Sequence, residues 1–196
     1  MAPGCVEAAK PLVTDFPSVR TERLVLGAFD DAEAPELQRL AGAREIADTT
    51  LMIPHPYELA HAEQFIALQR DGMAEGQELI FAIHRLADAR LVGTVALREI
   101  DSIHLQAELG YWIGVPYWNH GYATEAARAV VALGFERLGL NRIYAHHMAR
   151  NPASGRVLER IGMQREGVLR QRVRKWGQFE DVVIYSVVRD DLAALA

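Results

Sequence analysis

The segment from Glu108 to Glu125 constrains the fold of this chain more than any other, because its residues predict a strand that enters a helix through a tight turn. Gly121 in that turn can adopt a positive φ angle and lets a ligand approach the backbone. The N–H groups of the first helical turn have no partner within the helix, and the helix dipole is positive at this end. The turn is therefore a candidate site for a phosphate group. On shape alone, a plain strand-turn-helix junction is the commoner alternative.

The spacing of apolar residues elsewhere predicts a single α/β domain, in the α+β sense of a mixed, mostly antiparallel central sheet of about seven strands flanked by about four helices. The predicted strands cover residues 24–28, 79–86, 90–100, 104–114, 143–148, 165–170 and 182–188. The predicted helices begin after Asp30 or Asp31, near Ala62, at Tyr122 and at Ala153. Residues 1–20 show neither period and are expected to form an irregular leader before a domain that spans residues 21–196.

Charge and composition narrow the range of partners. The chain has 196 residues and a formal net charge of -5, which is the wrong sign for a surface that follows nucleic-acid phosphates. Its single cysteine, Cys5, suits a reducing compartment. No stretch approaches the roughly 18 apolar residues that are needed to cross a bilayer. We therefore expect a cytoplasmic protein that binds neither nucleic acid nor a membrane.

Several motifs together resemble those of one family. The turn itself has the sequence Asn119-His120-Gly121-Tyr122-Ala123-Thr124-Glu125-Ala126. The flanking motifs are Glu108-Leu109-Gly110-Tyr111-Trp112-Ile113, Asn151-Pro152-Ala153-Ser154 and Leu158-Glu159-Arg160-Ile161-Gly162-Met163. The opening Thr21-Glu22-Arg23-Leu24-Val25-Leu26 and the closing Asp181-Val182-Val183-Ile184-Tyr185-Ser186 agree with them. From Thr21 to about Asp190, the chain resembles the GNAT superfamily of N-acetyltransferases, in its RimJ/RimL-like branch of ribosomal-protein N-terminal acetyltransferases.

The resemblance implies a GNAT-like fold and acetyl-CoA as cosubstrate. It implies that the strand through Trp112, Ile113 and Gly114 pairs with the pantetheine arm. It also implies that the backbone of the turn holds the pyrophosphate, through Trp118, Asn119, His120, Gly121, Tyr122, Ala123 and Thr124. Asn151 would meet the pantetheine, although a plain helix N-cap explains this residue equally well.

Two residues are candidates for the proton transfers that acetylation of an amine requires. Relatives of this branch use a carboxylate at the position of Glu108 as a base, directly or through water; the alternative is an ion-paired or solvent-facing strand residue. Ser154 is the candidate proton donor to the CoA thiolate, as the spacing from Asn151 in relatives suggests. Many other GNAT enzymes use a tyrosine at the position of Leu158, so here the role passes to Ser154 or to water. A serine in a first helical turn can instead bond only to nearby backbone.

The acceptor is the least defined part of the prediction. His55 and Tyr57, in a proline-rich turn, resemble the acceptor-facing loop of relatives. His146 and His147 are neighbours on a strand and point to opposite faces, so we predict no metal site. The expected acceptor is a primary amine such as a protein or peptide N-terminus, with amino sugars, polyamines and antibiotics as alternatives. A CoA-binding sensor without turnover is the rival interpretation, and a homodimer is left open.

Overall fold

The computed structural model describes residues 16–74 and 76–193, and within them one sheet of eight strands is flanked by helices. The strands are β1 (Val19–Arg20), β2 (Leu24–Gly27), β3 (Leu79–Arg85), β4 (Leu91–Asp101), β5 (Gln106–Ile113), β6 (Arg142–Met148), β7 (Gln164–Lys175) and β8 (Gln178–Val188). The helices are α1 (Ala34–Ala41), α2 (Arg44–Thr49), α3 (Leu59–Ala74), α4 (Tyr122–Glu136), α5 (Pro152–Arg160) and α6 (Arg189–Ala193). The α/β class, with a mixed and mostly antiparallel sheet, is confirmed.

The order of strands across the sheet is β1-β2-β3-β4-β5-β6-β8-β7. Neighbouring strands are antiparallel except for β5 and β6, which are parallel. Helix α4 is the connection that carries the chain from the end of β5 back to the start of β6, as a parallel pair requires.

The β5–β6 ladder is short. It joins only Gln106 to Arg142, Ala107 to Ile143 and Glu108 to Tyr144, although β5 continues to Ile113 and β6 to Met148. Beyond these pairs the two strands part in the middle of the sheet. We call the space between residues 109–113 and 145–148 the central gap.

Helices cover one face of the sheet beside this gap and the other face over β3 and β4. A Cβ atom at Gly134 of α4 would lie 2.8 Å from Ile143 and 3.1 Å from Leu97, so α4 packs closely on the face that carries these two side chains. Helix α5 packs on the same face, since a Cβ at Gly155 would lie 2.8 Å from His147. Every residue of β4 from Leu91 to Leu97 is buried, and α1 contacts β4 while α3 contacts β3. Helices α1 and α3 therefore cover the opposite face.

The structure departs from the sequence prediction mainly at short or polar elements. The sheet begins at Val19, inside the expected leader, and Phe16 packs edge-on against Phe81 at a centroid distance of 5.0 Å. The rest of that leader, including Cys5, lies outside the described residues. Helices α2 and α6 were not predicted. Strands β7 and β8 are longer than expected because the charged tip of this hairpin stays paired up to Lys175 and Gln178.

Candidate active site

The turn between β5 and α4 has the backbone conformation that its glycine predicted. Gly121 has a φ of 79° and Asn119 a φ of 62°, so both lie in the left-handed region. Gly121 is the N-cap of α4 and has no side chain that could cap the helix. The first N–H groups of α4, at residues 122–124, therefore have no intrahelical partner and lie at the positive end of the helix dipole.

Arg23 lies beside this turn and forms an ion pair with Glu125. Its Nη1 donates to the carbonyl oxygen of His120 at 2.9 Å, and its Nε donates to the Glu125 carboxylate at 2.7 Å. Its guanidinium also lies over the ring of Tyr122, 5.1 Å from the centroid. Partial burial raises the pKa of Glu125, but hydrogen bonds from Thr21 and Arg23 outweigh burial. The pKa of Glu125 therefore lies below its ordinary value, and the carboxylate stays ionised. Sequence reasoning missed Arg23, because only the fold brings β2 beside the turn.

Side chains of the turn fix its shape. The indole Nε1 of Trp118 donates to the carbonyl oxygen of Ile113 at 2.6 Å. The imidazole of His120 lies 2.7 Å from the carbonyl oxygen of Trp118 and stacks on Tyr122 at 5.5 Å. A Cβ at Gly114 would lie 2.6 Å from Leu40, so the chain passes directly over α1 before it turns. Ala123 and Thr124 follow in the half-buried first turn of α4.

The central gap leads toward this turn. Trp112 is half-buried and Ile113 is buried, and both pair with β4 on one side only. Within the part of the chain that the structure describes, the edge of β5 that faces β6 has no strand partner from Leu109 onward. An extended ligand can therefore add to this edge as a strand does.

Glu108 and His146 lie together on one face of the sheet, at the closed end of the gap. The His146 Nδ1 atom is 2.9 Å from Glu108 Oε1, and the exposed fractions of the two side chains are 29% and 12%. Burial raises the pKa of Glu108, but the hydrogen bond from His146, its charge and that of Arg98 outweigh burial, and the pKa lies below its ordinary value. Sequence reasoning found Glu108 but considered His146 only as a metal ligand.

Tyr111 and Ser154 lie together on the opposite face. The Tyr111 hydroxyl is 2.9 Å from Ser154 Oγ and donates to the Ser154 carbonyl oxygen at the same distance. Burial raises the pKa of Tyr111, so its hydroxyl stays protonated. Asn151 caps α5 by accepting from the Ser154 N–H at 3.4 Å. The N-cap role of Asn151 is therefore seen directly, and Tyr111 is a neighbour of Ser154 that the sequence did not indicate.

The gap is thus flanked by an acid–base pair of side chains on one face and a pair of hydroxyl groups on the other. The alternation of β5 explains this division, since positions 108 and 111 point to opposite faces of a strand. A group held in the gap would have a proton acceptor on one side and proton donors on the other.

The match of this chain to known proteins agrees with that arrangement. Residues 23–164 match the acetyltransferase (GNAT) domain family. The chain belongs to the GNAT acetyltransferase family. The expectation of an acetyltransferase that uses acetyl-CoA is confirmed at the level of this family.

Named relatives of this GNAT protein fall into several groups. The uncharacterized N-acetyltransferase YoaA of Bacillus subtilis is 33% identical over 177 residues, 89% of this chain and 98% of that protein. The spermidine N(1)-acetyltransferase of Vibrio cholerae is 31% identical over 160 residues, 82% of this chain and 90% of that protein. The ribosomal-protein-serine acetyltransferase of Escherichia coli is 27% identical over 100 residues, 51% of this chain and 56% of that protein.

Among solved structures, RimJ of Mycobacterium smegmatis in complex with CoA-disulfide has the same fold. Its TM-score is 0.82 at 20% identity, covering 94% of this chain and 92% of RimJ. At this identity the likeness to RimJ shows the fold alone. The structure of a putative ribosomal-protein-serine acetyltransferase from Vibrio cholerae, with a TM-score of 0.74 at 28% identity over 87% of this chain and 97% of that chain, confirms the resemblance to the RimJ/RimL-like branch.

The GNAT protein's own geometry fits acetyl-CoA in two places. The uncapped start of α4, with Arg23 beside it, suits the doubly charged pyrophosphate. The unpaired edge of β5 in the central gap suits an extended pantetheine arm with its amide groups. If acetyl-CoA bound in this way, its thioester would lie in the central gap, with Glu108 on one face of the sheet and Ser154 on the other.

The predicted acceptor residues lie on a loop before α3. His55 is exposed, while Tyr57 is half-buried, packs 5.6 Å from the His61 ring and has a pKa that burial raises to about 12. Lys175, at the tip of the β7–β8 hairpin, donates to the carbonyl oxygens of Thr50 and Ile53 at 2.7 and 3.4 Å. The hairpin thus holds this loop.

Among residues 16–74 and 76–193, no group of His, Cys, Asp and Glu side chains is arranged to hold a metal ion. In the same part of the chain, no helix has the length and apolar character that a membrane span requires.

Proposed function

We propose that this GNAT protein transfers acetyl directly from acetyl-CoA to a primary amine while both are bound. The observation that carries the proposal is the central gap, which has Glu108 and His146 on one face and Tyr111 and Ser154 on the other. A thioester held in the gap would be open to an amine from the first face and could release its thiolate toward the second.

For the cosubstrate, we assign the pyrophosphate to the backbone from Trp118 to Thr124 and the pantetheine to the β5 edge at Trp112, Ile113 and Gly114. The left-handed Gly121 and the free first turn of α4 support the first assignment. The Arg23 guanidinium, which donates to the carbonyl oxygen of His120, supports it as well. The interrupted β5–β6 ladder supports the second. Asn151, at the start of α5, would contact the pantetheine from across the gap.

In the reaction, the amine nitrogen attacks the thioester carbonyl carbon, the C–N bond forms and the C–S bond breaks. The amine approaches from the face of the sheet that carries the Glu108 carboxylate, and it loses its proton on that face. Ser154, hydrogen-bonded to Tyr111, supplies a proton to the leaving thiolate. Ser154 is bonded to a protonated phenol rather than to a base, which favours a donor over a nucleophile.

For the acceptor, we propose an α-amine of a peptide or protein, which His55 and Tyr57 would line. An α-amino group has a pKa of about 8 and a lysine side chain about 10.4, so the α-amine is easier to deprotonate by about 3 kcal/mol. A polyamine is the second candidate, and the identity to a spermidine N(1)-acetyltransferase supports it.

The test offers the full-length protein acetyl-CoA with peptides that carry one α-amine and one lysine, and separately with spermidine. Release of free CoA measures turnover, and fragmentation mass spectrometry locates the acetyl group. We expect acetylation mainly at the α-amine. Acetylation mainly at lysine, or rapid spermidine turnover without peptide turnover, would reject the peptide acceptor. Binding of CoA without turnover of any amine would instead support a sensor.

A further inference from the structure

We infer that His146 accepts the proton of the attacking amine and that Glu108 is the positioning residue that orients it. This inference rests on the proposed function and assigns a role that sequence motifs do not. Its basis is the contact between Nδ1 of His146 and Oε1 of Glu108 at 2.9 Å.

The contact decides which ring nitrogen is available. A carboxylate beside Nδ1 favours the tautomer with the hydrogen on Nδ1, which leaves the lone pair on Nε2. That carboxylate also stabilises the imidazolium that forms when Nε2 takes up a proton. His146 can therefore act as a base in the same way as other histidines that are oriented by an acidic residue.

Exposure favours the imidazole over the carboxylate. The His146 side chain is 29% exposed, whereas that of Glu108 is 12% exposed, so an amine in the gap reaches the ring more easily. His146 also lies beyond Tyr144, the last residue of β6 in the ladder with β5, where the two strands begin to part. The lowered pKa of Glu108 agrees, because a carboxylate that holds its proton weakly is a poor base.

The neighbours of this pair come from three strands. Arg98 of β4 lies opposite Glu108 in the ladder and adds positive charge. Tyr144 of β6 donates to Glu99 of β4 at 2.7 Å. On its other side, His146 faces the apolar Ile184 of β8.

The proton balance of the step is complete. The neutral amine attacks the thioester carbon, and its nitrogen gives one proton to Nε2 of His146 as the C–N bond forms. The C–S bond breaks with its electron pair on sulfur, and the thiolate takes a proton from the Ser154–Tyr111 pair. The imidazolium then loses its proton to solvent, and the hydroxyl pair regains one.

The experiment measures three variants: His146→Asn, Glu108→Gln and the double variant that combines them. The matched control is His104→Gln, at an exposed histidine outside the site. Asparagine keeps an N–H near the position of Nδ1 for Glu108 but has no basic nitrogen. We expect His146→Asn to lower kcat by about 10²-fold, the usual size of general-base catalysis, and the double variant to be little slower. His146→Asn should also change the acidic limb of the pH profile, because the variant lacks one of the two groups, imidazole and amine, that must be unprotonated for turnover. His104→Gln should keep the wild-type rate and profile.

Two results would overturn the inference. One is a His146→Asn variant that keeps turnover within about threefold while Glu108→Gln loses it, since Glu108 would then be the base itself. The other is a double variant whose loss of kcat equals the product of the two single losses, since the two residues would then act independently. Calorimetric titration of the wild-type protein with CoA separates these two results from failure of the proposed function. A wild-type protein that neither binds CoA nor acetylates any amine would reject the proposed function itself.

Discussion

The turn from Gly114 to Gly121 and the central gap, which we propose to form one site, are built in different ways. In the turn, the groups proposed to face the ligand are backbone N–H groups that a short continuous segment provides. In the gap, Glu108, His146, Tyr111 and Ser154 come from β5, β6 and α5. The turn depends on backbone conformation, and the gap depends on side-chain identity. Changes in the turn should therefore affect binding of the cosubstrate, and changes in the gap should affect the rate of the chemical step.

The largest effect is expected at the turn, from Gly121→Val. A β-branched residue is an outlier at a φ of 79°, and its Cβ would lie 3.4 Å from the Arg23 guanidinium. The start of α4 should shift, and calorimetry should show CoA affinity reduced by roughly 10²-fold or more, which is the loss of about 3 kcal/mol of binding free energy.

A matched control tests whether strain alone explains that loss. Gly139 has a φ of 68° with no heavy atom within 4 Å of a built Cβ, so Gly139→Val carries similar backbone strain away from the turn. It should lower the melting temperature but keep CoA affinity. Equal loss of affinity in both variants would remove the assignment of the pyrophosphate to this turn.

Ser154→Ala should give the next largest effect, in the gap. We expect kcat to fall by about 10²-fold with little change in KM for acetyl-CoA, because the hydroxyl acts as the thiolate leaves. Ser154→Thr keeps a hydroxyl at the same position and should restore much of the rate. Steady-state kinetics check both variants, and an equally slow threonine variant would contradict the donor role.

Arg23→Gln should give the smallest of these effects, again at the turn. The loss of one charged neighbour, 46% exposed, is expected to weaken CoA binding by about 10-fold and to flatten the dependence of affinity on salt. Glu125 keeps its hydrogen bonds from Thr21 Oγ1 and the backbone N–H of residue 23, so the fold should persist. Arg20→Gln, at an exposed arginine of β1, is the control. An equal loss of CoA affinity there would mean that the net charge of the protein, and not the position of Arg23, explains the effect.

The sequence predicted the elements whose ends are set by local chemistry. Tyr122 begins α4 after a glycine, and Pro152 begins α5 after the Asn151 cap. Helix α2 escaped prediction because it has six residues and its N-cap residue, Ala43, makes no side-chain hydrogen bond. Strand β7 was underestimated because its exposed edge position allows charged residues on both faces, which removes the alternation that predicts a strand.

The same division holds within the site. Gly121 and Asn151 could be found because each acts through its own local backbone. His146, Tyr111 and Arg23 could not, since each becomes part of the site only through a partner in another element of the fold. Their positions depend on the strand register, which the pattern of a single strand does not specify.

The short β5–β6 ladder also determines where the sheet leaves backbone groups unpaired. Unpaired strand edges are usually found at the rim of a sheet, where they invite other protein chains to pair and aggregate. Here a pair of such edges faces inward from the middle of the sheet, with α4 and α5 packed beside them. A single extended chain that entered the gap could pair with these edges as a strand does. The proposed ligand site therefore presents its unpaired backbone groups inside the sheet rather than at the rim.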